Sequence, residues 1–188
     1  MKEPDFETLA IHGGTQADPD TGAVRLPLHM AATYKLPGFG IRLFEALQME
    51  NERVAHVYTR WSNPTLRALE TRLALLEKAE AGLVFASGMA AVSAVLLGFL
   101  SAGDHVIASE VCYAGSVDLL GNHLPRFGIK VSLVDTGDVM AVQEAVRPNT
   151  KIIFLETPAN PILRIGDIRA LAEIAHAAGG LLVVDSTF

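Results

Sequence analysis

The 188-residue chain contains a single cysteine, Cys112, and only 6% of its residues are aromatic. One cysteine forms no internal disulfide and supplies no cysteine-based zinc site, so we expect a protein of a reducing compartment, the cytoplasm. The six histidines show no H-E-x-x-H or other metal-ligand spacing, and we expect no metal site. The sequence also lacks a Walker loop and a G-x-G-x-x-G motif, which disfavours nucleoside triphosphates and dinucleotides as ligands.

Membrane-spanning runs and basic clusters are also missing. The apolar stretch MAAVSAVLLGFL is shorter than the ~20 residues of a membrane span, and the initial MKEPDFETLA has acids where a signal peptide is apolar. The formal net charge is −6, and the 15 lysines and arginines are scattered along the chain. This pattern argues against nucleic acids and anionic membranes as partners, and it favours a small molecule or another protein.

Apolar residues dominate what the sequence does contain. Half of the residues are hydrophobic, only 19% are charged, and the mean hydropathy is +0.32. This composition is sufficient for a large core and is that of a globular domain, or a large part of one. The mean hydropathy is high for a free-standing chain, which indicates burial in an interface or against further sequence.

The two ends of the chain differ in their periodicity. Residues 1–62 are interrupted by glycines and prolines, and we expect an extended arm with one short helix near 41–50. In the stretch SNPTLRALETRLALLEKAE, Asn63 can cap a helix and Pro64 suits its first position. We therefore divide the chain into an extended N-terminal arm, 1–62, and a large domain, 63–188.

The large domain alternates apolar runs with helix-like stretches. The runs predict strands at 82–86, 105–109, 129–134, 151–155 and 181–185. Helices are predicted near 88–101, 114–126, 138–147 and 167–178. This alternation indicates an α/β fold with a mostly parallel sheet and helices on both faces.

The turn in FASGMAAVSAV is the first candidate binding site. The predicted strand enters a helix here through Ser87, Gly88 and Met89. Free backbone N–H groups and the helix dipole allow such a turn to bind an anion, and Gly88 would let a phosphate approach closely. The alternative is an ordinary turn in which Ser87 caps the helix.

The arm contains a second candidate in YTRWSNPT. Arg60 can bind a phosphate through its forked guanidinium, and Tyr58 can donate a hydrogen bond to it. The alternative, a solvated loop, is equally consistent with these residues alone.

Further candidates follow the predicted strands. Tyr113 could stack on a flat ligand and act as an acid or base, or simply be a core or rim residue. Its neighbour Cys112 is interpreted as a small buried residue. Glu156 and Asn160 in LETPANP would project from the ligand-binding edge of the sheet, although N-P dipeptides also form turns. Asp185 lies at the end of the last predicted strand. It is either an acid that binds the ligand or an aspartate that forms a turn.

These motifs together resemble those of one enzyme family. In chain order they are TLAIHGG, DPDTGAV, YTRWSNPT, ASGMAA, CYAGS, ETPANP and VVDSTF. They closely resemble the Cys/Met metabolism, or trans-sulfuration, family of pyridoxal 5′-phosphate (PLP) enzymes over the whole chain. The resemblance implies part of the large domain of a fold-type I PLP-dependent transferase. It also implies γ-elimination or γ-replacement on sulfur amino acids or activated homoserine esters, by a homo-oligomer, expected to be a dimer of dimers.

The resemblance implies a role for each candidate residue near the cofactor phosphate. Ser87, Gly88 and Met89 match the phosphate cradle of the family. Tyr58 and Arg60 match the pair that reaches the same phosphate from a neighbouring subunit, so the active sites would be shared between subunits.

It also implies roles around the cofactor ring. Tyr113 matches the aromatic residue that stacks on the pyridine ring and takes part in catalysis. Asn160 matches the residue that hydrogen-bonds the ring hydroxyl, with Glu156 as a neighbour. Asp185 matches the acid that pairs with the pyridine nitrogen, where an ionised carboxylate keeps the ring protonated and makes it a better electron sink.

No lysine occupies the position that the family uses to attach PLP covalently. The lysines are Lys2, Lys35, Lys78, Lys130 and Lys151. In the family the attaching lysine lies shortly after the aspartate, which here would fall beyond Phe188. We therefore expect an N-terminal portion of such an enzyme that is inactive alone. The alternatives are a β-eliminating PLP enzyme of the same fold and a non-catalytic truncated or split-gene chain.

Three residues depart from the family pattern. Ala114 stands where glycine is common, and Ser186 replaces a common asparagine. Gly115 stands where methionine γ-lyases carry cysteine, which argues against that activity. The sequence alone leaves the choice of substrate open.

Overall fold

The computed structural model describes residues 4–35 and 56–188 and divides the chain into two compact units, Met1–Val84 and Phe85–Phe188. The helix predicted near 41–50 lies outside the described residues. Among the described residues, no helix is both long and apolar enough to cross a membrane.

The first unit contains α1 (Phe6–His12) and α2 (Pro64–Glu77). Asn63 caps α2 as predicted, because its side-chain oxygen accepts a hydrogen bond from the N–H of Thr65 at 2.8 Å. The amide nitrogen of Asn63 donates to the carbonyl of His29 at 3.0 Å and thereby attaches the arm to the start of α2.

The second unit is built on a four-stranded parallel sheet. Its strands are β1 (His105–Ser109), β2 (Lys130–Val134), β3 (Thr150–Glu156) and β4 (Leu181–Asp185), in the order β2-β1-β3-β4. Its helices are α3 (Gly88–Phe99), α4 (Ala114–Asp118), α5 (Val139–Ala145) and α6 (Ile168–Ala177). After α4 the chain continues as a π-helical turn, Leu119–His123, and a 3-10 turn, Leu124–Phe127.

Each face of the sheet packs against its own group of helices, because alternate strand residues point to opposite faces. On one face, Val106 of β1 and Phe154 of β3 pack with Leu96 of α3 and with Leu120 and Leu124. On the other face, the core consists of residues from β1, β3, α5 and α6, namely Ile107, Val142, Ile153, Leu155, Leu171 and Ala175. The predicted parallel sheet with helices on both faces is confirmed.

The prediction of a strand at 82–86 is wrong. Residues 81–85 carry no regular secondary structure, although four of the five β-runs predicted from the sequence do form strands. The N–H of Val84 donates to Oε1 of Glu70 at 3.1 Å. In a strand, this N–H would instead bond to the backbone carbonyl of a neighbouring strand. An apolar run becomes a strand only where a neighbouring strand completes the hydrogen-bonded ladder.

A buried polar cluster lies at the amino ends of the strands. His105 begins β1 with no exposed surface, and its two ring nitrogens form hydrogen bonds with the hydroxyls of Thr150, at 2.8 Å, and Ser132, at 3.0 Å. Arg147 donates to the same Ser132 hydroxyl at 3.0 Å. Burial, together with the positive charge of Arg147, lowers the pKa of His105 to about 4.

This lowered pKa predicts a loss of stability in acid. Because the unfolded chain binds a proton at the His105 position below pH ~6.5 and the folded chain does not, this contribution is complete above that pH and is lost as the pH falls towards 4. We expect the free energy of unfolding to fall by about 2 kcal/mol between pH 7 and pH 5 through His105 alone. Urea unfolding of the wild type and of His105→Gln at both pH values measures this difference.

The control is His176→Gln, which removes an exposed histidine for which the described residues show no ion pair. This variant should keep the pH dependence of the wild type. Equal pH dependence in the wild type and His105→Gln would contradict the assignment.

Candidate active site

A cavity of about 370 Å³ opens at the carboxyl ends of the strands in the second unit. This is the edge at which open parallel sheets bind their ligands. The cavity is lined by Ser87, Gly88, Met89, Val92, Tyr113, Ser116, Glu156, Pro158, Asn160, Asp185, Thr187 and Phe188. The structure therefore brings together every sequence-predicted site residue of this unit.

The start of α3 forms one wall of the cavity. The side chain of Ser87 caps the helix by accepting a hydrogen bond from the N–H of Ala90 at 3.2 Å. The N–H groups of Gly88 and Met89 belong to the first turn, where α-helical geometry provides no intrahelical acceptor. A Cβ added at Gly88 would meet no atom within 4 Å, so backbone donors and open space occur together at this wall.

Glu156 lines the cavity and joins two of its loops. This residue is only 5% exposed. Oε2 accepts a hydrogen bond from the N–H of Tyr113 at 2.7 Å, and Oε1 accepts one from the N–H of Asn160 at 2.8 Å. One carboxylate thus joins the loop after β1 to the loop after β3.

The ring of Tyr113 lies beside a glycine. Tyr113 is 50% exposed and immediately precedes α4. A Cβ added at Gly115 would lie 2.7 Å from Cε1 of Tyr113 and 3.0 Å from Sδ of Met89. The ring and the thioether therefore occupy the space that a side chain at position 115 would need.

Asp185 lies next to Glu156, because the two residues are partners in the register of β3 and β4. Oδ1 of Asp185 accepts hydrogen bonds from the hydroxyl of Thr187 at 2.6 Å and from its N–H at 3.2 Å. Asp185 therefore forms the local turn considered from the sequence, and it also lines the cavity.

Cys112 is buried, as the sequence predicted, and is not among the residues that line the cavity. Burial raises the pKa of its thiol to about 11, and the negative charges of Glu156 and Asp185 contribute to this increase. A thiol with such a pKa stays protonated at neutral pH and is a poor nucleophile.

Arg164 connects the loop that carries Asn160 to two neighbouring loops. The carbonyl of Arg164 accepts a hydrogen bond from the N–H of Ala159 at 2.9 Å. Its guanidinium lies 3.1 Å from Oε1 of Glu110 and 2.8 Å from Oδ1 of Asp135, in the loops after β1 and β2. Three loops at the same edge of the sheet are thereby held together.

Tyr58 and Arg60 lie in the first unit and not in the lining of this cavity. The guanidinium carbon of Arg60 is 4.8 Å from the centre of the Tyr58 ring, a cation–π distance. Arg60 is exposed. Its guanidinium and the Tyr58 ring form a pair within one surface segment.

Several residues of the site are not identified by the sequence alone. The sequence predicts Glu156 at the ligand-binding edge but not its two hydrogen-bond partners, and it does not single out Ser116 or Arg164, because their partners are distant in the chain. Thr187 carries a usable signal, since an aspartate followed two residues later by threonine is a known turn pattern.

The parallel sheet and its helices define the second unit as an α/β domain with a cavity at the carboxyl edge of the sheet. The family model described as Cys/Met metabolism PLP-dependent enzyme matches residues 7–188. The chain belongs to this family, and the cofactor of the family is PLP.

Curated relatives support this assignment. The chain is 44% identical over 182 residues to cystathionine gamma-lyase of Bacillus subtilis, with 97% of this chain and 45% of the relative covered. It is 46% identical over 183 residues to canavanine gamma-lyase of Pseudomonas canavaninivorans, with 96% and 44% covered. The chain therefore spans somewhat less than half the length of these relatives.

Solved structures agree in fold. Cystathionine gamma-lyase from Lactobacillus plantarum, complexed with L-serine, matches with a TM-score of 0.85 and 40% identity over 97% of this chain and 45% of that one. The metB protein of Corynebacterium glutamicum matches with a TM-score of 0.86 and 35% identity, with the same coverage of both chains. These neighbours confirm the fold class and the family.

The cavity fits PLP in its chemistry. The first turn of α3 supplies backbone donors for a phosphate, with space at Gly88 where a side chain would otherwise lie. Tyr113 and Asp185 line the same cavity, where an aromatic ring would suit a flat heterocycle and a carboxylate would suit a basic ring nitrogen.

This fit predicts that Gly88→Ala separates binding from stability. The added methyl group meets no protein atom, so the free energy of unfolding should stay within about 0.5 kcal/mol of the wild type or increase. The same methyl group would occupy space required by the phosphate, and PLP affinity should fall about tenfold or more. Fluorescence titration with PLP and urea unfolding measure the two effects.

Gly98→Ala is the matched control, because Gly98 lies in the same helix and a methyl group added there would also meet no atom within 4 Å. It should leave PLP affinity unchanged. Equal PLP affinity in the wild type and Gly88→Ala would contradict the assignment of the phosphate to this turn.

Proposed function

We propose that the protein catalyses PLP-dependent γ-elimination or γ-replacement on sulfur amino acids or activated homoserine esters. The observation that carries the proposal is the convergence of a helix N-terminus, Tyr113, Asn160 and Asp185 on one cavity. The names of the relatives, which include gamma-lyases, a gamma-synthase and a sulfhydrylase, favour chemistry at the γ-carbon.

The cavity residues would hold the cofactor in distinct ways. Ser87 and the N–H groups of Gly88 and Met89 would bind the phosphate. Asn160 would hydrogen-bond the ring hydroxyl through its side chain, and Tyr113 would cover a face of the ring.

The acid–base chemistry is divided between two residues of the chain. When bound, PLP supplies an electron sink for the electron pair released at the substrate α-carbon. Asp185 would accept a hydrogen bond from the protonated ring nitrogen and stabilise its positive charge. The Tyr113 hydroxyl, at a half-exposed position in the cavity, would accept or donate a proton there.

The covalent attachment of PLP would require a lysine from outside residues 1–188. Lys130 is the first residue of β2, and Lys151 is the second residue of β3. Both are at the amino ends of strands, and five residues of extended chain, ~16 Å, separate Lys151 from Glu156 at the cavity. Neither lysine of the sheet is therefore suited to the attachment.

Tyr58 and Arg60 would complete the phosphate site of a neighbouring copy. In this proposal residues 1–62 are an intersubunit arm, residues 63–188 belong to the cofactor-binding domain, and the assembly is a cytoplasmic dimer of dimers. The exposed guanidinium of Arg60 and its contact with Tyr58 support a paired role.

The first test is cofactor binding by the purified 188-residue chain. We expect reversible PLP binding, no lysine adduct after borohydride reduction, and no α-keto acid from cystathionine, methionine or O-acetylhomoserine. Absorbance, mass spectrometry and an α-keto acid assay provide the measurements. A PLP adduct on one specific lysine, together with turnover, would overturn the proposed need for an external lysine.

The reaction type is tested in the protein that contains this chain. With cystathionine as substrate, γ-elimination releases α-ketobutyrate, whereas β-elimination releases pyruvate. Pyruvate as the main product would favour the β-eliminating alternative, and the absence of turnover in that protein would favour a non-catalytic role.

Sharing of the site between copies predicts complementation between two variants. Arg60→Ala disables the arm, and Gly88→Val fills the phosphate turn. A mixed dimer contains one site with both defects and one with neither, so random mixing should restore tight PLP binding at about a quarter of the sites. Calorimetric titration counts these sites.

Mixing Arg67→Ala with Gly88→Val is the control for this experiment. Arg67 is also an exposed arginine of the first unit, but it has no proposed role in the phosphate site. Arg67→Ala chains should bind PLP tightly before mixing. Failure of well-mixed Arg60→Ala and Gly88→Val chains to recover any tight sites would argue against sharing.

A further inference from the structure

We propose that Glu156 is a positioning residue for the PLP site, one that sets where Tyr113 and Asn160 meet the cofactor. The inference rests on the proposed function and goes beyond it, because it assigns a role to a residue that need not touch the cofactor. Its basis is the pair of hydrogen bonds, 2.7 Å and 2.8 Å long, by which the buried carboxylate accepts the N–H groups of these two residues.

The chemistry of the two partners requires a carboxylate at this position. Both partners are backbone N–H donors, and an ionised carboxylate presents an acceptor on each oxygen. Glutamine would present one acceptor and one donor, so one of the two N–H groups would face an NH₂ group. Aspartate keeps both acceptors on a side chain that is shorter by one methylene and cannot span the same two loops.

The carbonyl of Tyr113 accepts hydrogen bonds from the N–H groups of Ser116 and Val117, and Glu156 holds the N–H side of the same residue. Tyr113 precedes a helix of only five residues, and its own side chain makes no capping hydrogen bond. Its N–H is bonded to Glu156 across 43 positions in sequence. In the proposed role, the direction in which the ring leaves the backbone depends on Glu156 as well as on the start of α4.

The backbone of Asn160 is held from two sides. Glu156 binds its N–H, and the hairpin that contains it is closed by the hydrogen bond between Ala159 and Arg164. Because β3 ends at Glu156, the strand itself carries the side chain that fixes the following loop. Loss of the carboxylate would release Tyr113 and Asn160 together.

A purely electrostatic role for Glu156 makes a different prediction. Glu156 adds a negative charge beside Asp185, its register partner. If that charge alone mattered, Glu156→Asp would behave like the wild type and only Glu156→Gln would be impaired. Positioning predicts that both variants are impaired, since neither restores both hydrogen bonds.

The test measures PLP affinity in the 188-residue chain. We expect Glu156→Gln and Glu156→Asp each to raise the PLP dissociation constant about tenfold or more, which is the effect of losing a hydrogen bond to a charged group. Glu173→Gln is the control. It removes one negative charge from an exposed position of α6 in the same unit, outside the two loops, and its PLP affinity should stay within about twofold of the wild type.

Amide hydrogen exchange provides a readout independent of PLP. In the wild type, the N–H groups of Tyr113 and Asn160 should exchange more slowly than that of Gly88, which has no intrahelical acceptor. In Glu156→Gln at least one of the two should exchange about tenfold faster or more, while amides in the centre of β1 remain protected. If the variants fail to fold, the wild type still provides a test. Slow exchange of both amides supports the two hydrogen bonds to Glu156, and fast exchange of both contradicts them.

The outcomes separate the two proposals. Unchanged PLP affinity in Glu156→Gln, recovery of wild-type affinity in Glu156→Asp, or fast wild-type exchange at both amides would each overturn the positioning role. Failure of the wild-type chain to bind PLP, with both amides protected, would instead overturn the proposed function while leaving the link between the two loops intact.

Discussion

Packing on both faces of the parallel sheet is the constraint on which the rest of the second unit depends. Val106 and Phe154 face one core, and Ile107 and Ile153 face the other. A strand displaced by one residue would exchange its two faces and lose both sets of contacts. The register is consequently strict, and it determines which residue occupies each strand end. The position of Asp185 beside Glu156 is a result of core packing as much as of local sequence.

The sequence predicts the strands and the residues at their ends better than it predicts the contacts between distant segments. The βα alternation is recognisable from apolar periodicity, and the polar residues after each run are expected at one edge because parallel strands all end there. Ser87, Tyr113, Asn160 and Asp185 are predicted in this way, and they line one cavity. The failure at 82–86 has an equally physical origin, because local propensity contains no information about whether a strand partner exists.

The contacts that organise the site are beyond such reasoning. The sequence predicts Glu156 at the ligand-binding edge of the sheet, but its bond to Tyr113 joins residues 43 positions apart. Arg164 meets Glu110 and Asp135 only because three loops converge. Residues that bind a ligand belong to recognisable motifs, whereas residues that hold those motifs together are identified by tertiary geometry. The resemblance to a family identifies the former, and the structure adds the latter.

The buried cluster around His105 lies at the end of the sheet opposite the cavity. Its partners, Ser132 and Thr150, come from the neighbouring strands, and Arg147 approaches from the loop before β3. In this sheet, the acid-sensitive histidine lies at the amino ends of the strands and the cavity lies at their carboxyl ends. Evolution, or a protein engineer, could adjust the acid tolerance of this domain by substitutions at the amino ends of the strands without altering the chemistry at the other edge.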